Sequence, residues 1–220
     1  MRIGLFGGTF DPIHWGHLRS AEEVREALSL DRILFVPTSI PPHKKTPYSA
    51  PARDRLQMVR LAVAKNPRFA VSTVEMRRPG VSYSIDTLRY FAKKNRGRHS
   101  YFFIVGLDAF RDVGSWKEFE QLFPLCHFVV TSRPGSDDSN PLRRTPVAVR
   151  KLFCYDFRKK IYRHWSGTYL YFVKLTDIAI SASDIRRRVR EGVSIRYLVP
   201  LEVEAYIKKQ GLYLDRREGR

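Results

Sequence analysis

Glycines, a proline and two histidines crowd into GLFGGTFDPIHWGH, Gly4 to His17, directly after a short β-branched and aromatic run at Arg2–Phe6. Bare backbone at Gly7 and Gly8 lets N–H groups come close to an anion. Asp11-Pro12 reads as a turn and a helix as starting near Trp15, which puts His17 in a first turn whose unpaired N–H groups favour negative charge. His14 and His17 are three residues apart and then share a face. The chemistry this suggests is a phosphate site with two imidazole donors turned toward one phosphate. The spacing is neither Gly-x-Gly-x-x-Gly nor Gly-x-x-x-x-Gly-Lys-Ser/Thr, so it is not a dinucleotide fingerprint or a P-loop. Two blander readings compete: zinc ligation, for which no third ligand stands at a suitable spacing, and a pair of structural histidines filling the turn.

Such a turn needs a scaffold. Apolar or aromatic runs at Arg2–Phe6, Arg32–Val36, Phe69–Thr73, Tyr101–Val105, His127–Thr131 and Tyr169–Val173 read as strands. Helical apolar spacing lies between most of them, at Leu18–Leu28, Arg53–Ala64, Ile85–Lys94 and Trp116–Phe123. That alternation predicts an α/β fold, a Rossmann-like doubly wound parallel sheet with helices on both faces. Gly7 and Gly8 fall at the carboxyl end of the first strand, where open parallel sheets bind ligands. Proline-rich loops interrupt at 37–51 and 133–146. Residues 147–168, with FRKKIYRHW, read as a helical insertion, and Ile180 to Tyr213 as two helical pieces broken near Gly192 and Pro200. The expectation is one domain over 1–220, with a small helical C-terminal part at about 180–213.

Composition narrows the classes. The 220 residues are 43% hydrophobic, within the globular range. No run of about 18 apolar residues occurs and the N-terminus reads as a strand, which predicts a soluble cytoplasmic protein. Cys126 and Cys154 form no ligand pair or bridge framework, which fits a reducing compartment. The net charge is +18, and residues 143–220 hold 19 Lys/Arg against 8 Asp/Glu, which implies an anionic partner: a nucleotide, RNA or a lipid surface.

Further candidates follow the predicted strands. In VPTSIPPHKK, two prolines stiffen a loop carrying His43, Lys44 and Lys45, with Lys44 the leading candidate for holding a phosphate; an ordinary exposed loop is the alternative. In IVGLD, Gly106 permits close approach, and Asp108 could accept ribose hydroxyls or simply cap a helix. In ISASDIRRRV, Ser181 and Ser183 stand at a helix start with Arg186 one turn on, a set suited to phosphates because a guanidinium binds two oxygens at once. A serine cap with a basic solvated face is the plainer reading.

GGTFDPIHWGH resembles the signature of nucleotidyltransferases with a His-x-Gly-His motif, here His14-Trp15-Gly16-His17, and ISASDIR, Ile180 to Arg186, resembles their second signature. The likeness is greatest to the bacterial nicotinate-nucleotide adenylyltransferases, running through residues 2–135 and about 178–213; residues 136–177 match poorly. The resemblance implies transfer of adenylate from ATP, with Mg²⁺, to nicotinate mononucleotide, giving deamido-NAD and pyrophosphate. It implies His14, His17 and Arg186 as catalytic residues. For ATP it implies Gly7, Gly8, Thr9, Phe10, Gly106, Asp108, Ser181 and Ser183. For the mononucleotide it implies Lys44, Tyr83, Ser84, Trp116, Lys117 and Arg133, with Trp116 stacked on the pyridine. Ser84 stands where the family usually has threonine, which keeps the hydroxyl and loses a methyl contact. The implied partners are small molecules, with no membrane and no nucleic acid expected.

Rival readings remain. Nicotinamide mononucleotide or another small phosphomonoester could be the acceptor. The sister enzyme acting on phosphopantetheine usually carries threonine for the first histidine, and class I aminoacyl-tRNA synthetases need a Lys-Met-Ser-Lys-Ser-like loop that is missing here. A basic RNA-binding module would use the charge, yet the sequence has no aromatic RNA-binding signature.

Overall fold

The computed structural model describes residues 1–42, 49–95, 97–132, 142, 145–159 and 161–214. The strands are β1 (Arg2–Gly8), β2 (Arg32–Pro37), β3 (Phe69–Val71), β4 (Ser100–Gly106), β5 (His127–Ser132), β6 (Phe153–Asp156), β7 (Ile161–His164) and β8 (Tyr169–Lys174). The helices are α1 (Trp15–Ala27), α2 (Ala52–Val63), α3 (Ser84–Asn95), α4 (Leu107–Arg111), α5 (Phe119–Leu122), α6 (Val147–Arg150), α7 (Ala182–Arg190) and α8 (Leu201–Gln210).

Among the described residues, eight strands join one sheet in the order β3-β2-β1-β4-β5-β8-β7-β6. The first six in that order run parallel, and β7 and β6 close the edge antiparallel. The central strands explain this arrangement. Tyr101 to Val105 and Phe128 to Val130 are buried throughout, as expected of strands covered on both faces. One core layer joins Leu18, Ala21 and Val24 of α1 to Met58, Val59 and Val63 of α2, and also takes in Ile185 of α7 and Val203 and Ile207 of α8. The other joins Ile85, Leu88 and Phe91 of α3 to Phe110, Val113, Leu122 and Phe123. The C-terminal helices thus pack in the same core layer as α1 and α2.

The strand order reverses between β1 and β4. On the β2 side β1 stays paired through Gly8↔Pro37, whereas on the β4 side its register ends at Phe6↔Ile104 although β4 continues to Gly106. The two strands therefore part at their carboxyl ends. That is the topological switch point, where open α/β sheets take their ligands.

Two sequence expectations need correction. Residues 147–168 are not a helical insertion: after the four-residue α6 they form the β6–β7 hairpin, with Phe153↔His164 and Tyr155↔Tyr162 opposite each other. The basic stretch suggested a helix face, but Phe153 and His164 are buried while Cys154 and Arg163 are exposed, a period-two pattern. Nor does a helix run from Trp116 to Phe123. A 3₁₀ turn at Val113–Ser115 ends with Trp116 extended, Glu118 adopts φ 52°, and only Phe119–Leu122 is α-helical. No helix among the described residues is long and apolar enough to cross a membrane.

Candidate active site

The first turn of α1 is built around His14, its N-cap. The His14 N–H donates to Nδ1 of His17 at 3.3 Å, so in a neutral ring the His17 hydrogen lies on Nε2. The two imidazoles stack with centroids 3.7 Å apart and planes at 28°. Phe10 meets the His17 ring edge-on at 5.2 Å. Gly16 suits this packing, because a Cβ there would lie 3.1 Å from the His14 ring and the ring would have to shift to admit it. Gly8 has a similar reason: a Cβ would come within 2.9 Å of Phe10. Gly106 does not. Its φ is −68°, which any residue adopts, and among the described residues no heavy atom beyond its chain neighbours lies within 4 Å of where its Cβ would be. The space beside Gly106 is left open by the fold.

Two clefts flank this point, and both are lined by Gly7, Gly8 and Gly106. The smaller, about 440 Å³, adds Phe10, His17, Ser20, Asp108, Arg111 and Thr176. The larger, about 740 Å³, adds Thr9, Glu75, Tyr83, Ser84, Thr87, Trp116 and Lys117. The glycines at the parted strand ends thus connect one chamber holding the α1 imidazole to another lined by an indole, a phenol and hydroxyls.

Within the larger cleft, Trp116 is half-buried, its ring edge-on to Phe103 at 6.4 Å. The Lys117 ammonium lies 4.8 Å from the centre of the Tyr83 ring and 3.8 Å from the Asp86 carboxylate. Ser84 opens α3. In the smaller cleft, Asp108 sits in the first turn of α4 with its carboxylate fully exposed and 3.4 Å from Arg111 Nη1. The helix-cap reading of Asp108 is corrected: the N-cap is Gly106, and Asp108 makes no capping bond.

Ser181 is the N-cap of α7, accepting from the Asp184 N–H, and its hydroxyl lies 3.2 Å from that of Ser183. Arg187 and Arg188 pair with Asp184 of their own helix, whose carboxyl they hold below its ordinary range. Arg186 turns the other way. Its Nη1 donates to the Asp11 carbonyl at 2.6 Å and lies 3.8 Å from the Asp11 carboxylate. Arg186, Ser181, Ser183 and His14 line neither cleft among the described residues, and Arg186 meets the histidine turn through Asp11. Lys44 and Arg133, with His43 and Lys45, lie outside the described residues.

The supports of the site escaped the sequence reading. Asp11, 5% exposed, also receives Ser49 Oγ, the Ala50 N–H and Tyr213 OH, so it ties the turn to the C-terminus. Beside this carboxylate, burial pushes the Tyr213 phenol far up. Arg55, 3% exposed, donates to the carbonyls of Thr9, Thr38, Ser39 and Ala50, which fixes the loops after β1 and β2 to α2. Its sequence signal is legible: Arg55 shares the buried stripe of Met58, Val59 and Val63.

A family model described as cytidylyltransferase-like matches residues 5–188, and the chain belongs to that family. Within it, the chain is 48% identical over 213 residues to a protein of Syntrophotalea carbinolica named probable nicotinate-nucleotide adenylyltransferase, a match covering 97% of each. A Geotalea daltonii protein of the same name is 49% identical over 218 residues, 99% of this chain and 100% of that one. Among solved structures, the fold is similar to Plasmodium falciparum nicotinic acid mononucleotide adenylyltransferase complexed with NaAD, with a TM-score of 0.72, 18% identity and coverage of 96% and 97%. At that identity the likeness is one of fold.

Proposed function

We infer that this protein is a nicotinate-nucleotide adenylyltransferase, joining nicotinate mononucleotide and ATP to give deamido-NAD and pyrophosphate in NAD biosynthesis. The observation that carries the reading is the pair of clefts meeting at Gly7, Gly8 and Gly106, with His17 on one side and Trp116 on the other. A dinucleotide made from two halves needs two chambers that share one phosphate position. The relatives at 48–49% identity bear the same name.

Adenosine occupies the smaller cleft, its ribose at Asp108, and the pyridine occupies the larger one, against Trp116. An oxygen of the mononucleotide phosphate attacks the α-phosphorus of ATP, the bond from that phosphorus to the bridging oxygen breaks, and pyrophosphate leaves with the electron pair. The attacking oxygen is already ionised near neutral pH, so no general base is required. Placement and charge neutralisation carry the catalysis; alignment alone can be worth about 7–11 kcal/mol. His17, and His14 stacked on it, serve the α-phosphate and the bridging oxygen. Arg186 serves the leaving pyrophosphate from the far side of the histidine turn, and Ser181 and Ser183 place the start of α7 beside it. Lys44 and Arg133 are proposed for the mononucleotide phosphate.

Mg²⁺ enters with ATP as part of the substrate, held by triphosphate oxygens whose charge it offsets. Among the described residues, no group of three or more His, Cys, Asp or Glu gathers to hold an ion by itself.

The test is purified protein with ATP, Mg²⁺ and either the acid or the amide mononucleotide, following pyrophosphate. Faster release with the acid form is expected, and no release with either overturns the reading.

A further inference from the structure

Glu75 is 7% exposed and lines the larger cleft. Its Oε1 accepts from Thr87 Oγ1 at 2.7 Å, and that hydroxyl lies 3.2 Å from Arg78 Nη2. A guanidinium only donates, so the Thr87 oxygen accepts from Arg78 and its single hydrogen goes to Glu75. Oε1 is therefore an acceptor, and any carboxyl proton resides on Oε2. That oxygen is itself buried and makes no hydrogen bond among the described residues. Buried polar atoms are nearly always satisfied, and the exceptions call for an explanation. Thr87 follows Ser84 by one helical turn, so the carboxyl is anchored to the α3 face that carries the pyridine-side hydroxyl.

We propose that Glu75 is a specificity residue: its Oε2 meets the substituent on the pyridine ring and sets the preference between a carboxylate and a carboxamide. The proposal rests on the adenylyltransferase reading. Protonated, Oε2 donates to a ring carboxylate. Ionised, it repels the carboxylate and accepts from a carboxamide N–H. Burial holds the Glu75 carboxyl above the usual carboxylate range, and the Thr87, Ser82 and Thr38 hydroxyls and Arg78 oppose that rise. Arg55 on α2 also senses the Glu75 charge. Ser82 Oγ accepts the Ser39 N–H, which leaves its own hydrogen free to turn toward the Glu75 carboxyl.

The experiment compares kcat/KM for the acid and amide mononucleotides at saturating Mg·ATP, from mildly acidic to mildly alkaline pH. Both substrates carry the same phosphate, so its titration cancels in their ratio. The acid-to-amide ratio is expected to fall by about tenfold per pH unit once Glu75 ionises. In Glu75→Gln a permanent N–H donor replaces the titrating proton, so the ratio stays in favour of the acid and flat with pH. A flat ratio in the unmodified protein, or a Gln variant that follows its slope, overturns the proposal. So does a Gln variant in which the KM for ATP rises as much as that for the mononucleotide, because that pattern belongs to a structural prop. If the unmodified protein releases no pyrophosphate with either mononucleotide, the functional reading fails and this inference fails with it.

Discussion

Arg186 Nη1 reaches the carbonyl oxygen of Asp11 at 2.6 Å, joining the second turn of α7 to the turn that carries both histidines across 175 residues of chain. The contact ties that guanidinium to Asp11 of the histidine turn while leaving it off the walls of both clefts. His17→Ala should lower kcat by two decades or more, in line with about 3 kcal/mol for one well-aimed donor, with the protein still folded and a modest fall in Tm because the His14 N–H loses its acceptor. Arg186→Ala should lose a similar factor and also some Tm, because the tie to Asp11 goes with it. Arg186→Lys should recover only part of the rate, since an ammonium lacks the two-pronged fork. Rates and melting curves measured on the same samples check all three; normal turnover in His17→Ala removes that ring from the mechanism.

Trp116 has its edge toward Phe103 and also lines the larger cleft. Trp116→Ala should therefore raise the KM for the mononucleotide several-fold and leave the KM for ATP alone, with a modest fall in Tm. Steady-state kinetics varying each substrate separate the two roles. Equal rises in both KM values would mark the indole as core.

Gly106 and Gly16 make a contrasting pair. A methyl at Gly106 meets no heavy atom of the described residues beyond its chain neighbours within 4 Å, so Gly106→Ala should fold with nearly unchanged Tm and lose turnover if a ligand passes there. A methyl at Gly16 strikes the His14 ring at 3.1 Å, so Gly16→Ala should lose stability as well as rate. Unchanged turnover in Gly106→Ala would mean that the open space is not used.

Arg55 holds four carbonyls while nearly sealed from solvent, and burial pulls its pKa down. Arg55→Met should cost about 3–5 kcal/mol in urea unfolding, because it leaves the Thr9, Thr38, Ser39 and Ala50 carbonyls without their charged donor. A loss below about 1 kcal/mol would contradict the role given to it.

The sheet was legible because its central strands are unbroken apolar runs, whereas the strand order, and with it the switch point between β1 and β4, is set by the folded topology. The β6–β7 hairpin was not. Its buried positions, Phe153 and His164, are separated by a charged turn that mimics a helix face. At the candidate site, His14, His17 and Gly106 could be picked from motif and spacing and Trp116 only from the family resemblance, but the reason for each glycine could not. Gly8 and Gly16 answer to Phe10 and His14, side chains that only the folded turn lays over them. Arg55 could have been found as a charge in an apolar stripe. Glu75 gave no such signal, since its burial comes from α3 folding back over the segment after β3.

The most direct test is a crystal structure of this protein with deamido-NAD bound. The account predicts adenosine beside Asp108 in the smaller cleft, pyridine against Trp116 in the larger, and the bridging phosphates over Gly7 and Gly106 within reach of His17. A dinucleotide lying outside these two clefts, or with its phosphates remote from His17, would contradict it.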